Sequence, residues 1–148
     1  MENNAAATIQ DVSNVPLPLN GNDPLFAPHF QSLMRGDLLI RQCTECSTMQ
    51  WPPRPFCRDC QAMDFSWIKA PRRGTVASFS VAYRAFHPAY VDRLPAATVL
   101  VDVAPGIRIA GRWTGAIDEI TIGQQAELII DRWAEHGVSA AWKPSDAC

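Results

Sequence analysis

The chain has no excess of positive charge. Thirteen Lys and Arg against fifteen Asp and Glu leave a net charge of −2, whereas a nucleic-acid binder usually carries surplus cations to neutralise phosphates. It has no apolar run approaching the ~20 residues of a bilayer-spanning helix. The longest, residues 96–104, already contains Asp102. Its first residues, MENNAAATIQ, hold no basic segment followed by an apolar stretch, so no secretory leader or membrane partner is expected and the expected compartment is the cytoplasm. It contains no G-x-S-x-G, H-E-x-x-H, P-loop or dinucleotide fingerprint and no internal repeat. The acidic residues are scattered, and no nucleophile–base set stands out. No catalytic residue is assigned.

What the chain does have is cysteine. In a reducing compartment, five cysteines call for a metal or chemical explanation before a disulfide one. Cys43 and Cys46 form one C-x2-C pair and Cys57 and Cys60 another, with the ten residues 47–56 between them. Two residues between cysteines let both sulfurs of a knuckle face one point, and two knuckles supply a tetrahedral set of thiolates that suits Zn2+. With four ligands no position is left for water, so a structural zinc is the favoured reading. Rubredoxin-type iron, an iron–sulfur cluster and two disulfides are the alternatives. Trp51 and the Pro52-Pro53-Arg54-Pro55 run stiffen the connector, and Arg41, Arg54 and Arg58 are placed to offset the charge of the thiolates. Cys148, the last residue, reads as an unpaired, exposed thiol.

Hydrophobic periodicity predicts a mainly β chain. Residues 1–22 show no period and read as a flexible arm. A short helix starts at Pro28, presents Phe30, Leu33 and Met34 on one face and stops at Gly36. With the cysteine knuckles and flanking strands it makes a first unit, residues 23–70. Pro71-Arg72-Arg73-Gly74 breaks the pattern, and from Thr75 the period is two. Strands are expected over 75–83, 98–103, 107–114, 126–133 and 138–143, with a tight turn at Ala104-Pro105-Gly106 and a single helical turn near 115–119. These make a second unit, residues 71–148: a small closed barrel with a C-terminal tail, the alternative being a small sandwich.

Three residues outside the knuckles are candidate contacts to a ligand or partner. Arg72 and Arg73 lie at the hinge between the units, where a guanidinium can meet phosphate. His87 lies in the proline-containing loop 86–95. His29 and His136 have no recognisable companions. Trp67 and Trp113 are expected in the core, while Trp133 and Trp142 have surface available to a partner.

The order of these elements resembles a known family. A short helix precedes Arg41-Gln42-Cys43, and Trp51-Pro52-Pro53-Arg54 bridges the two knuckles. Gly74-Thr75-Val76-Ala77-Ser78-Phe79, His87-Pro88, Val101-Asp102-Val103 and Ile122-Gly123-Gln124-Gln125-Ala126-Glu127 follow. Over residues 23–133 the chain is similar to the rubredoxin-like zinc-ribbon and OB-fold proteins called domain of unknown function thirty-five. The resemblance implies a non-catalytic subunit beside thiolase-like, hydratase-like or aldolase enzymes acting on acyl-CoA, as in thiolases, steroid side-chain aldolases and benzoylsuccinyl-CoA thiolase. It implies a structural zinc on Cys43, Cys46, Cys57 and Cys60, a hetero-oligomer of α2β2 type, and a CoA thioester bound by the complex; Arg72, Arg73 and His87, read from their positions in the chain, are the candidate contacts to CoA or partner. A nucleic-acid-binding ribbon–barrel module is the competing class, which the acidic balance disfavours.

Overall fold

A computed structural model describes residues 6–13, 23–134 and 137–146. His136 and Cys148, and with Cys148 the expectation of an exposed thiol, lie outside the described residues.

Helix α1 spans Ala27–Met34 with Pro28 in its first turn, where a missing N–H costs nothing. It ends at Gly36, whose φ of +81° is the left-handed conformation that glycine adopts freely. A side chain there would also meet Ala6 and Ala7 of the N-terminal segment. Of the expected face, Leu33 is buried and Phe30 packs partly buried against the core, but His29 and Ser32 are buried beside them and Met34 is half exposed. Ser32 explains the difference. Its hydroxyl donates to the His29 carbonyl at 2.6 Å and accepts from the Leu39 N–H at 3.2 Å, which pins this face to the next strand.

Strands β2 (Leu39–Cys43), β3 (Met49–Gln50) and β4 (Phe65–Lys69) form a small antiparallel sheet in the order β3-β2-β4. This sheet carries the cysteines. The barrel follows, from β5 (Arg73–Ala82), β6 (Ala96–Ala104), β7 (Ile107–Trp113), β8 (Gln125–Trp133) and β9 (Gly137–Pro144). Its order is β5-β6-β7-β9-β8, closed by β8 on β5, with β7 and β9 parallel. This is the five-stranded OB arrangement, not the sandwich. The alternation read from the sequence appears directly in β6, where Ala97, Val99, Val101 and Val103 are buried, and in β7, where Ile107, Ile109, Gly111 and Trp113 are. In β5 a bulge between Val76 and Ser78 shifts the register, so that Val76 and Phe79 both lie opposite core residues, Val101 and Val99. At Gly74, the second residue of β5, the chain passes so close to β6 that a Cβ would collide with the Asp102 carbonyl, which is why a glycine stands there.

Two expectations are corrected. Within residues 1–22, Ile9–Ser13 is a strand, β1, lying parallel to β8 in the register Ile9↔Ile130. The reason is an edge that needs a partner. β5 pairs with β8 only over Gln125–Glu127 and then diverges, and β1 takes the hydrogen bonds that the remainder of β8 would otherwise leave open. Second, Trp133 and Trp142 offer little surface to a partner: they are 6% and 0% exposed. Trp142 lies in the barrel core. Trp133 is covered by the loop after β5, with the Tyr90 ring at 6.0 Å and the Arg93 guanidinium 5.0 Å from its ring.

β8 is buried on both faces. Leu128 and Ile130 face the core, while Ile129, Asp131 and Trp133 alternate on the other side. Asp131, fully buried, accepts a two-pronged contact from Arg112 at 2.7 and 2.9 Å and a third hydrogen bond from Gln10 Nε2 at 2.7 Å. Arg112 reaches it across β9, where the intervening side chains Ser139 and Ala141 are small.

Candidate metal centre

The two knuckles are built alike. In the first, the Ser47 N–H donates to the Cys43 carbonyl at 3.0 Å and the Cys43 N–H to the Thr48 carbonyl at 3.0 Å. In the second, the Gln61 N–H donates to the Cys57 carbonyl at 3.1 Å and the Cys57 N–H to the Ala62 carbonyl at 2.8 Å. Ser47 and Gln61 take left-handed φ values of 61° and 63°, which turn each chain back after its second cysteine. Cys43 and Cys57 are buried; Cys46 and Cys60 are exposed.

All four sulfurs lie within 4.8 Å of one another, with Cys43–Cys60 and Cys46–Cys57 at 3.6 Å. A tetrahedron with Zn–S bonds of about 2.3 Å has edges of about 3.8 Å, so the set has the size and donor type for such an ion. The two exposed thiols, Cys46 and Cys60, shift in opposite directions. Hydrogen bonding with the Thr48 side chain and then with its backbone holds Cys46 down to about 6. At Cys60 the Ala62 N–H pulls downward, but the neighbouring sulfurs, Cys46 foremost, push the thiol up to about 12. A divalent cation removes that mutual cost by accepting all four as thiolates.

The surroundings differ from the expected ring of arginines. The Arg41 guanidinium lies 3.7 Å from the Phe65 ring centroid and donates to the Arg54 carbonyl at 2.7 Å, and desolvation lowers its pKa. Arg58 pairs with Asp59 at 3.6 Å. Gln50, which sequence reasoning passed over, is 3% exposed and fixes the second knuckle: its Oε1 accepts from the Arg58 N–H at 3.2 Å. Its burial in a two-residue strand left no periodic signal to find.

His29 was equally illegible. Its ring lies 4.0 Å from the Trp51 ring, and its Nδ1 is 2.8 Å from the Leu39 carbonyl, so it joins α1, β2 and the connector. Burial drives its pKa down to about 4, against a smaller upward pull from the Leu39 carbonyl. The folded state therefore holds it neutral while the unfolded chain protonates it near 6.5. Its contribution is complete above pH 6.5 and is lost as pH falls toward 4, by about 3 kcal/mol in all. Chemical denaturation of the wild type between pH 6.5 and 5.5 should show stability falling by about 1 kcal/mol more than in His29→Gln. Equal slopes would contradict this placement.

The remaining candidates do not converge. The Arg72 carbonyl accepts from the Leu128 N–H at 2.7 Å, and Arg73 faces Glu127 at 3.8 Å, a carboxylate also 3.4 Å from Lys143. His87 is exposed, with its ring 6.0 Å from that of Tyr90. Arg73 opens β5 and His87 follows its far end, a ten-residue strand of about 30 Å. The hinge and the loop are therefore separate places on the molecule. No described helix is long and apolar enough to cross a membrane.

Comparison with known proteins agrees with this geometry. Residues 30–65 match the ChsH2 rubredoxin-like zinc ribbon domain, and residues 67–130 match the ChsH2 C-terminal OB-fold domain. A solved structure described as "Ltp2-ChsH2(DUF35) aldolase" superposes with a TM-score of 0.76 at 28% identity, over 87% of this chain and 98% of that one. A DUF35 protein of unknown function from Sulfolobus solfataricus shares the fold, with a TM-score of 0.57 at 14% identity over 83% of this chain and 87% of that one. In sequence, the chain is 32% identical over 114 residues to a Thermomonospora curvata protein named "Probable enoyl-CoA hydratase alpha subunit". The match covers 76% of this chain, which spans about a third, 34%, of that relative's length. With both domains in family order and the four cysteines gathered, the chain belongs to the ChsH2-type zinc-ribbon and OB-fold family, DUF35.

Proposed function

We propose that this chain is a non-catalytic accessory subunit of an acyl-CoA enzyme, holding one structural Zn2+ and packing on a thiolase-like subunit in an α2β2 assembly. The observation that carries this reading is the superposition on nearly the whole of a chain from an aldolase whose description joins two components, Ltp2 and ChsH2. The cysteines would hold the metal, whose contribution is to stabilise the ribbon. The partner supplies the chemistry, and the complex binds the CoA thioester. Arg72 and Arg73 at the hinge are the proposed phosphate contacts. The loop with His87 is the proposed partner contact.

That loop is suited to the role. Tyr83 and Val91 are 72% and 58% exposed and Phe86 fully so, while Tyr90 and Arg93 anchor the segment on Trp133. Large apolar side chains held out from a fixed base gain free energy by being covered. Co-expression with a thiolase-fold enzyme of the same organism should yield a stable complex, and the isolated chain should not turn over acyl-CoA. Phe86→Asp should weaken that complex at least tenfold, of the order seen for an aromatic anchor, without altering the melting temperature of the free chain. Turnover by the purified chain alone would overturn the proposal. The hydratase name of the sequence relative favours a second reading, in which the partner is a hydratase. Co-purification with each candidate distinguishes the two.

A further inference from the structure

The loop after β5 carries two charges that its own chain leaves unused. Arg84 and Asp92 are exposed, and among the described residues neither has an ion pair or a side-chain hydrogen bond. Other surface charges of the barrel do pair: Arg108 with Asp102, Arg132 with Asp11, Lys143 with Glu127. The same loop holds out Tyr83, Phe86 and Val91. It is also fixed in one shape. A 3-10 turn spans Pro88–Arg93, with the Tyr90 N–H donating to the His87 carbonyl at 3.0 Å. Its base rests on Trp133, whose Nε1 donates to Ser139 Oγ at 2.8 Å. A surface already ordered loses little conformational entropy when it is covered. A patch with apolar groups and one unpaired charge of each sign is complementary to itself. In a two-fold pairing, residue i of one copy meets j of the other, and j meets i.

We propose that, without an enzyme partner, this loop pairs two copies of the chain about a two-fold axis, with the Phe86 side chains covering each other and Arg84 meeting Asp92 of the second copy at two equivalent contacts. The pairing does not depend on the proposed enzyme contact. It uses the same apolar side chains, so the two are mutually exclusive and the enzyme displaces the second copy. A few large side chains per copy make a contact at the small end of specific interfaces. The dissociation constant is therefore on the order of tens of micromolar.

The test is sedimentation equilibrium of the full chain loaded with Zn2+, in reducing buffer, from about 1 μM to about 1 mM, which brackets that affinity. The wild type should pass from monomer to dimer across the range. Arg84→Asp and Asp92→Arg should each weaken the dimer about tenfold, since an exposed attraction becomes a repulsion at both contacts. Mixed in equal amounts, these two variants should pair with each other at close to the wild-type affinity, because opposite charges again meet at both contacts. An effect of either charge on the fold alone would give no such rescue. Phe86→Asp should remove the dimer over the whole range. A thermal melt recorded near 1 μM reads the monomer, so there Phe86→Asp leaves the melting temperature unchanged. A wild-type chain still monomeric at about 1 mM would leave the loop to the enzyme subunit and overturn the inference. So would a dimer that survives Phe86→Asp, or a mixture that pairs no better than its separate components.

Discussion

Replacing Cys43 or Cys57 by serine is expected to unfold the ribbon and to reduce bound zinc from one per chain to near zero. These two sulfurs are buried, so a serine hydroxyl in either place would lose a metal bond and gain a desolvated polar group. The segment between β2 and β4 has little else to hold it. Its strands are two to five residues long, and structural zinc contributes on the order of 10 kcal/mol in domains of this size. The damage should extend to the barrel. Leu38 and Ile40 are buried in the same cluster as Val99, Ile109 and Trp142, with Met49, Trp51 and Ile68 packed against it. Losing the ribbon therefore uncovers one side of the common core. The outer pair gives a graded comparison: Cys46→Ser and Cys60→Ser should lower zinc affinity while leaving more folded protein, since an exposed hydroxyl remains hydrated. Metal analysis and thermal denaturation of the four variants check this order. Equal stability in all four would contradict it.

The second large effect is expected at Asp131. Asp131→Ala should cost about 3 kcal/mol, the low end for breaking a buried ion pair, because Arg112 keeps some exposure, 34%, through which water can solvate it. That corresponds to a fall in melting temperature of roughly 10 °C for a domain of this length. The loss combines three broken hydrogen bonds with a guanidinium left facing an apolar hole. Replacing both partners by apolar residues, Arg112→Leu with Asp131→Leu, should recover most of the loss, since paired removal leaves no orphaned charge. If the double variant is as unstable as Asp131→Ala, packing and not the ion pair is responsible. Because Gln10 also bonds Asp131, the single variant should loosen β1 first, visible as faster amide exchange at Ile9 to Asp11.

These two sites differ in how far they could be read in advance. The metal centre was legible because zinc ligation is local: four cysteines at fixed spacings specify the knuckles, and the structure brings all four together. The strands of the barrel were legible where one face is buried and the other wet, as in β6 and β7. Pro28 and Gly36 marked the helix for stereochemical reasons. What escaped notice depends on distant partners. β1 lies in a segment without period, and its reason for ordering, the open edge of β8, is about 120 residues away. Asp131 looks like one more scattered acid until Arg112 is set across β9 from it. The helix face was read only in part, with Leu33 and Phe30 on the core but Met34 half exposed, because a buried histidine and serine take places that periodicity gives to apolar residues. Trp133 lies under a loop whose folding-back left no pattern in the sequence.

The most direct test of the account follows zinc content and fold together. Zinc should be withdrawn stepwise from the purified full chain by a chelator while tryptophan fluorescence, to which Trp51 and Trp67 of the ribbon contribute, is recorded. The account predicts one zinc per chain at the start, and a loss of structure that tracks its removal and reverses on its return. A preparation that is free of metal and still fully folded would contradict it.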